Sequence, residues 1–157
     1  RALARLTHWP DLRLVILGEG GEGPALHALA GELGLATRVS LPGYTANPFA
    51  YLARARALVM SSRFEGLPLV LIEALACGCP VVSTDCPHGP AEILDGGRYG
   101  ALVPVGDPAR LADAIARTLA QAPDPTPGRA RAQAYTVEAS ARAYGELLWP
   151  DRNPFGV

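Results

Sequence analysis

Short apolar runs that stop at glycine or proline alternate with helical stripes along almost the whole chain, and this alternation limits the fold more than any other feature. Residues 12–17 (LRLVIL) run unbroken into Gly18, as a parallel strand covered on both faces would. Pro24 then suits a first helical turn, and Leu26, Leu29, Ala30 and Leu33 form a stripe that stops at Gly34. Residues 38–41 read as a strand closed by Pro42-Gly43, and Asn47-Pro48 as the cap and first position of a helix reaching about Ala55. Strands follow at 57–60, 80–84 and 101–103. Helices are expected at 68–77, stopped by Gly78, from Pro90, and from Asp107-Pro108 with Leu111, Ile115 and Leu119 on one face. Five strands separated by helices predict an α/β doubly wound parallel sheet of the Rossmann-like kind, with ligands bound beyond the carboxyl ends of the strands.

The expected organisation has a body at 1–122 and a proline-rich linker at 123–128. The linker's prolines remove donors and disfavour the helical region before them. A C-terminal helix is expected at 129–149 and a tail at 150–157. With 157 residues there is room for one domain of this type. Fifteen acids stand against fourteen bases, all arginine, for a net charge of −1, which removes the electrostatic basis for general nucleic-acid or anionic-membrane binding. No run is long and apolar enough for a membrane helix, and the first residues lack the apolar core of a signal peptide. Cys77, Cys79 and Cys86 are odd in number and clustered, which reads as buried reduced thiols in a reducing cytoplasm. A zinc site completed by His88 is the alternative, but it lacks the usual knuckle spacing and a second ligand pair.

Two segments carry candidate chemistry. Gly18-Glu19-Gly20-Gly21-Glu22-Gly23 satisfies G-x-G-x-x-G between a strand and a helix, the pattern of a dinucleotide loop. The acid expected about twenty residues on is replaced by Arg38, Val39 and Ser40, and Glu19 and Glu22 would repel a pyrophosphate. NAD(P) binding, with Arg38 toward a 2′-phosphate, therefore stands as an alternative. The second segment places Glu65 before a helix and Glu73 eight residues on, inside the otherwise apolar LPLVLI-E-ALAC. A carboxylate there needs hydrogen-bond donors or a ligand. The helix N-terminus beside Glu65 offers free N–H groups that would welcome a phosphate. Diphosphate on those donors and hydroxyls on the two carboxylates would suit a sugar nucleotide. The structural alternative is that Glu65 caps the helix and Glu73 pairs with an arginine such as Arg63.

Residues 61–94 (SSRFEGLPLVLIEALACGCPVVSTDCPHGPAEIL) and 97–107 (GRYGALVPVGD) resemble the C-terminal, nucleotide-binding half of retaining GT-B glycosyltransferases of the family 4 type, the glycosyl transferases group 1. Residues 12–22 and 38–62 and the closing helices extend the likeness over nearly the whole chain. The resemblance implies transfer of a hexose or N-acetylhexosamine, with retention, from a UDP- or GDP-sugar to a glycan or lipid-linked acceptor, without metal or other cofactor. It implies that Glu65 faces the transferred sugar in catalysis and that Glu73 holds the ribose hydroxyls. The backbone of Gly66, Leu67 and Leu69 would lie near the sugar and diphosphate, with Pro68 where many members have glycine. Gly18, Glu19 and Gly20 and the loop from Pro42 to Tyr44 would flank the base.

His88-Gly89-Pro90-Ala91-Glu92 resembles an S-G-P-x-E variant of the donor loop, with His88 in place of serine. His88 as a donor contact and His88 as an exposed loop histidine both stay open. The family pairs this half with an N-terminal domain and an opening strand carrying a G-R…K signature, whose cations neutralise the leaving diphosphate. Neither is represented here, and the chain has no lysine. The expectation is a polypeptide that does not turn over alone and that self-associates through strand edges left open beside the central strand. The implied location is cytoplasmic, with peripheral attachment to the inner membrane as a variant.

Overall fold

The computed structural model describes residues 1–150; the expected tail at 150–157 lies, after Pro150, outside the described residues. Five strands, β1 (Leu14–Leu17), β2 (Val39–Gly43), β3 (Leu58–Met60), β4 (Val81–Thr84) and β5 (Ala101–Val103), alternate with helices in chain order. The helices are α1 (Ala2–Arg5), α2 (Gly23–Glu32), α3 (Phe49–Leu52), α4 (Leu69–Cys77), α5 (Pro90–Ile93), α6 (Pro108–Gln121), α7 (Thr126–Ala132) and α8 (Val137–Leu148). All pairings are parallel. β1 pairs with β2 (Leu14 with Val39), β3 with β4 (Val59 with Val82) and β4 with β5 (Ser83 with Leu102). Among the described residues no ladder joins β1 to β3, so the sheet is split into a two-stranded and a three-stranded part.

Side chains alternate across the three-stranded part, as the pleat requires. Val59, Val82, Ala101 and Val103 face a core built with Leu3 and Leu6 from the N-terminal segment and with Leu111, Ile115 and Leu119 of α6. Leu58, Met60, Val81 and Leu102 face a second core with Leu71, Ala74 and Leu75 of α4, Ile93, Leu94 and Ala132. Leu14 and Val39 of the two-stranded part join the first core, so one layer of apolar side chains holds both ladders although no backbone bonds connect them. The α/β doubly wound reading is correct, with helices on both faces of parallel strands.

Several expectations change in detail. β2 runs through Pro42 to Gly43 instead of closing at Leu41. Proline is tolerated there because β2 has a partner on one side only. The α2 stripe is not buried as drawn: Ala30 is buried, but Leu33 is exposed, and Val15 on β1 is 44% exposed. The single closing helix is wrong, and so is a linker reaching 128. α7 starts at Thr126 inside the proline-rich stretch, because Pro127 falls in the first turn, where the missing N–H has no helical partner to lose. The helix then breaks in a 3-10 turn at Gln133–Tyr135, and Thr136 restarts it, its hydroxyl accepting from Ala139 N at 3.2 Å. Among the described residues, no helix is long and apolar enough to cross a membrane.

Candidate functional site

The site is built from loops that leave the carboxyl ends of the strands. After β1, Gly18 takes φ +109°, which glycine adopts without penalty, and its N–H bonds Gly43 O at 2.9 Å. The Glu19 side chain lies against Gly43, its Oε1 3.6 Å from where a Cβ would stand. The Gly18-Glu19-Gly20 turn and the Gly43-Tyr44 corner are therefore one surface, with Tyr44 75% exposed on it. The dinucleotide pattern finds no support here. Gly23, whose place in that motif serves close helix–strand packing, has nothing within 4 Å of an added Cβ. Arg38, the alternative 2′-phosphate ligand, spends its guanidinium on Leu12 O (3.0 Å) and Trp9 O (2.9 Å).

After β3, residues 61–68 lead into α4. Pro68 is its N-cap, and no side chain caps the helix. The first N–H groups of α4 therefore lack a side-chain acceptor, and Leu69 beside them is 60% exposed. Glu65 is half-buried and does not cap. Its Oε1 instead accepts from Ser62 Oγ at 2.6 Å. Glu73 is half-buried about one turn along α4 and makes no hydrogen bond or ion pair with any described side chain. The ion pairs there are Arg98–Asp95 and Arg110–Asp107. The capping and Arg63-pairing alternative therefore fails in both halves. No buried side-chain polar atom among the described residues lacks a partner, so the Glu73 carboxylate stays open to solvent.

The loop after β4 folds onto this one. His88, exposed, has φ +65°, and its ring meets Phe64 edge-on at 6.0 Å between centroids. Gly89 has φ +93°, and a Cβ on it would lie 2.3 Å from Pro68 Cδ and 3.3 Å from Gly66 O. Only glycine lets the two loops close, and Pro68 fills the space so formed. Gly66, Leu67, Leu69, His88 and Gly89 thus fall in one neighbourhood, with Glu65 among them. The loop after β5 contributes structure instead: Asp107 Oδ1 caps α6 by accepting from Ala109 N and Arg110 N at 3.0 and 2.9 Å.

Two cavities lie elsewhere. One of about 290 Å³ sits between Trp9 and α6, and one of about 460 Å³ lies between α4, the starts of β4 and β5, and the proline-rich stretch. Neither is lined by Glu65 or Glu73. Cys79 and Cys86 are buried and Cys77 half-buried, all three as free thiols. Burial pushes the Cys79 thiol up to about 11, with Cys77 adding and a bond to the Leu58 backbone opposing. Among the described residues, no three His, Cys, Asp or Glu side chains gather as metal ligands.

The sequence reading overlooked Ser62, Phe64 and Thr84. The spacing Ser62-x-x-Glu65 was there to see, since a hydroxyl three residues before a carboxylate is the capping-box pattern. Here the hydroxyl itself meets the carboxylate.

The model of the glycosyl transferases group 1 matches residues 1–121 of the 157. The chain belongs to that family. It is 47% identical over 105 residues to the N-acetylgalactosamine-N,N'-diacetylbacillosaminyl-diphospho-undecaprenol 4-alpha-N-acetylgalactosaminyltransferase of Campylobacter jejuni, covering 67% of this chain and 28% of that protein. The lipopolysaccharide outer core galactosyltransferase WaaB superposes with a TM-score of 0.82 at 23% identity, covering 96% of this chain and 43% of the other. Anabaena HepE in complex with UDP superposes with a TM-score of 0.73 at 28% identity, covering 90% and 39%. The group 1 fold seen here is the Rossmann-like C-terminal half of a GT-B protein.

Proposed function

We propose that the chain is the donor-binding half of a retaining glycosyltransferase that moves a hexose or N-acetylhexosamine from a nucleotide-diphospho-sugar to a glycan or lipid-linked acceptor. One observation carries the reading. Glu73 sits on an otherwise apolar helix with no internal partner, one carboxylate among leucines and alanines, a few residues from an uncapped N-terminus and a second carboxylate. An arrangement that leaves both the acid and the N–H groups open suits a ligand with hydroxyls at one point and phosphates at the other.

In this reading the first N–H groups of α4 and the backbone of Gly66, Leu67 and Leu69 receive the diphosphate. Glu73 accepts from the ribose hydroxyls, and Glu65 faces the sugar. Gly18, Glu19, Gly20 and Tyr44 flank the base, while His88 and Gly89 close over the sugar from the neighbouring loop. The donor carries its own leaving group, so no cofactor enters the proposal. The named transferase from C. jejuni and the UDP-bound HepE support a sugar nucleotide with uridine as the first base to test. The proposed location is cytoplasmic, at or near the inner membrane face where lipid-linked acceptors stand.

Ligand-observed NMR across UDP-, GDP- and ADP-sugars, with Glu73→Ala as control, tests the site. Saturation transfer from the wild-type chain to one nucleotide series, lost in Glu73→Ala, is the expected result. Equal signals from the variant, or none from the wild type, would remove the proposal. Binding of NAD(P) that survives Glu73→Ala but not Gly20→Ala would point to the dinucleotide reading instead.

A further inference from the structure

We infer that Ser62 is the positioning residue for Glu65, an inference that rests on the donor-site reading above. Ser62 Oγ donates to Glu65 Oε1 at 2.6 Å, a short and direct side-chain hydrogen bond. No other hydrogen bond to this carboxylate is made among the described residues, so one oxygen is held and the other is left for a ligand. Ser62 is itself held. Thr84, 3% exposed at the end of β4, donates its Oγ1 to Ser62 O at 2.6 Å. Ser83 Oγ in turn donates to Thr84 O at 2.8 Å. Met60 and Ser83 are register partners across β3 and β4, so the support starts in a hydrogen-bonded ladder and reaches the carboxylate in three short bonds.

A glutamate side chain has three rotatable bonds, and on an exposed loop it samples many orientations. Tying one oxygen to a hydroxyl whose backbone is anchored to a strand fixes the direction of the other, as sites held to a fraction of an ångström require. Ser62 thus acts through Glu65 and does not touch the ligand. It governs what Glu65 sees, the sugar, and leaves the nucleotide that Glu73 holds unaffected.

Calorimetric titration of the 157-residue chain with UDP and with UDP-N-acetylgalactosamine tests this. Ser62→Ala is expected to weaken the sugar nucleotide by roughly ten-fold while leaving UDP unchanged, the size of one hydrogen bond to a charged group. Ser62→Thr, which keeps the hydroxyl, restores most of the loss. In a Glu65→Ala background, Ser62→Ala is expected to add nothing, because the two side chains act as one unit. Should Ser62→Ala fail to fold, Ser62→Cys takes its place with the same expected pattern. An unchanged affinity for the sugar nucleotide, an equal loss for both ligands, or additivity with Glu65→Ala would overturn the assignment while the donor site stands. A wild-type chain that binds neither ligand would overturn the donor site, and this inference with it.

Discussion

At the scale of single residues, the account turns on carboxylates and glycines whose surroundings do not explain them internally. Glu73 forms no bond to any described side chain, so Glu73→Ala loses nothing inside the fold and gains helix propensity. We expect its melting temperature to match the wild type or exceed it slightly, while nucleotide affinity falls roughly ten-fold or more. Calorimetry and thermal unfolding on one preparation check both. The glycines divide in the same way. Gly89→Ala puts a Cβ at 2.3 Å from Pro68 Cδ on a backbone at φ +93°, and is expected to cost about 1–3 kcal/mol in chemical denaturation. Gly20→Ala meets open space at an ordinary φ and is expected to leave stability unchanged. Cys79 adds a pH dependence. Its folded pKa of about 11 lies above the ordinary thiol value, so its contribution is complete below about pH 9 and is lost as pH rises through 11. Denaturation midpoints should fall over that window, and Cys79→Ala should flatten that part of the profile.

At the scale of elements, the strands were the legible part of the sequence. The short, largely apolar runs before Gly18, Ser61 and Asp85 located β1, β3 and β4 to within two residues, because each is bounded by a glycine or polar residue that stops it. The closing helix was not legible. Residues 130–148 hold no proline or glycine run to break them, yet a 3-10 turn at Gln133–Tyr135 interrupts the helix before Thr136 caps the next one. Arg131 sends its Nε to Ile93 O (3.1 Å) and Nη2 to Glu92 O (2.7 Å) and the Tyr135 hydroxyl (2.9 Å), and lies over the Tyr99 and Tyr135 rings. That clasp ties α7 to the end of α5, whose last carbonyls have no helical donor. A pattern of apolar spacing carries no sign of it. Arg131→Ala is expected to cost about 1–3 kcal/mol, with Arg131→Lys recovering only part, since one ammonium does not reproduce the guanidinium fork. Urea midpoints of the two variants check this. The site was legible in outline for the same reason that the strands were: Glu73 breaks an apolar run, and such breaks are visible without coordinates. Thr84 was not, because a threonine at a strand end is ordinary until its partner is known, and Ser62 showed only as a capping-box spacing whose hydroxyl turns out to meet the carboxylate itself.

At the scale of the molecule, the divided sheet is the dominant feature. β1 and β3 each have a ladder partner on one side only, and an unpaired strand edge is a template for further pairing. Concentration-dependent self-association is therefore expected in sedimentation velocity, and a monomer at every concentration would contradict it. The chain has no lysine, so the lysine that the family likeness places on a departing diphosphate has no counterpart among these residues, and such stabilisation is commonly the largest electrostatic term in catalysis. We expect no transfer from the 157-residue chain alone, checked by product formation from a sugar nucleotide and a glycan acceptor. The central claim is that the two glutamates and the start of α4 form one donor platform, and a crystal structure of the chain with UDP tests it most directly. The account predicts ribose hydroxyls within hydrogen-bonding distance of the Glu73 carboxylate and phosphate oxygens on the first N–H groups of α4. A nucleotide seated elsewhere, such as the cavity between α4 and the proline-rich stretch, with Glu73 untouched, would contradict it.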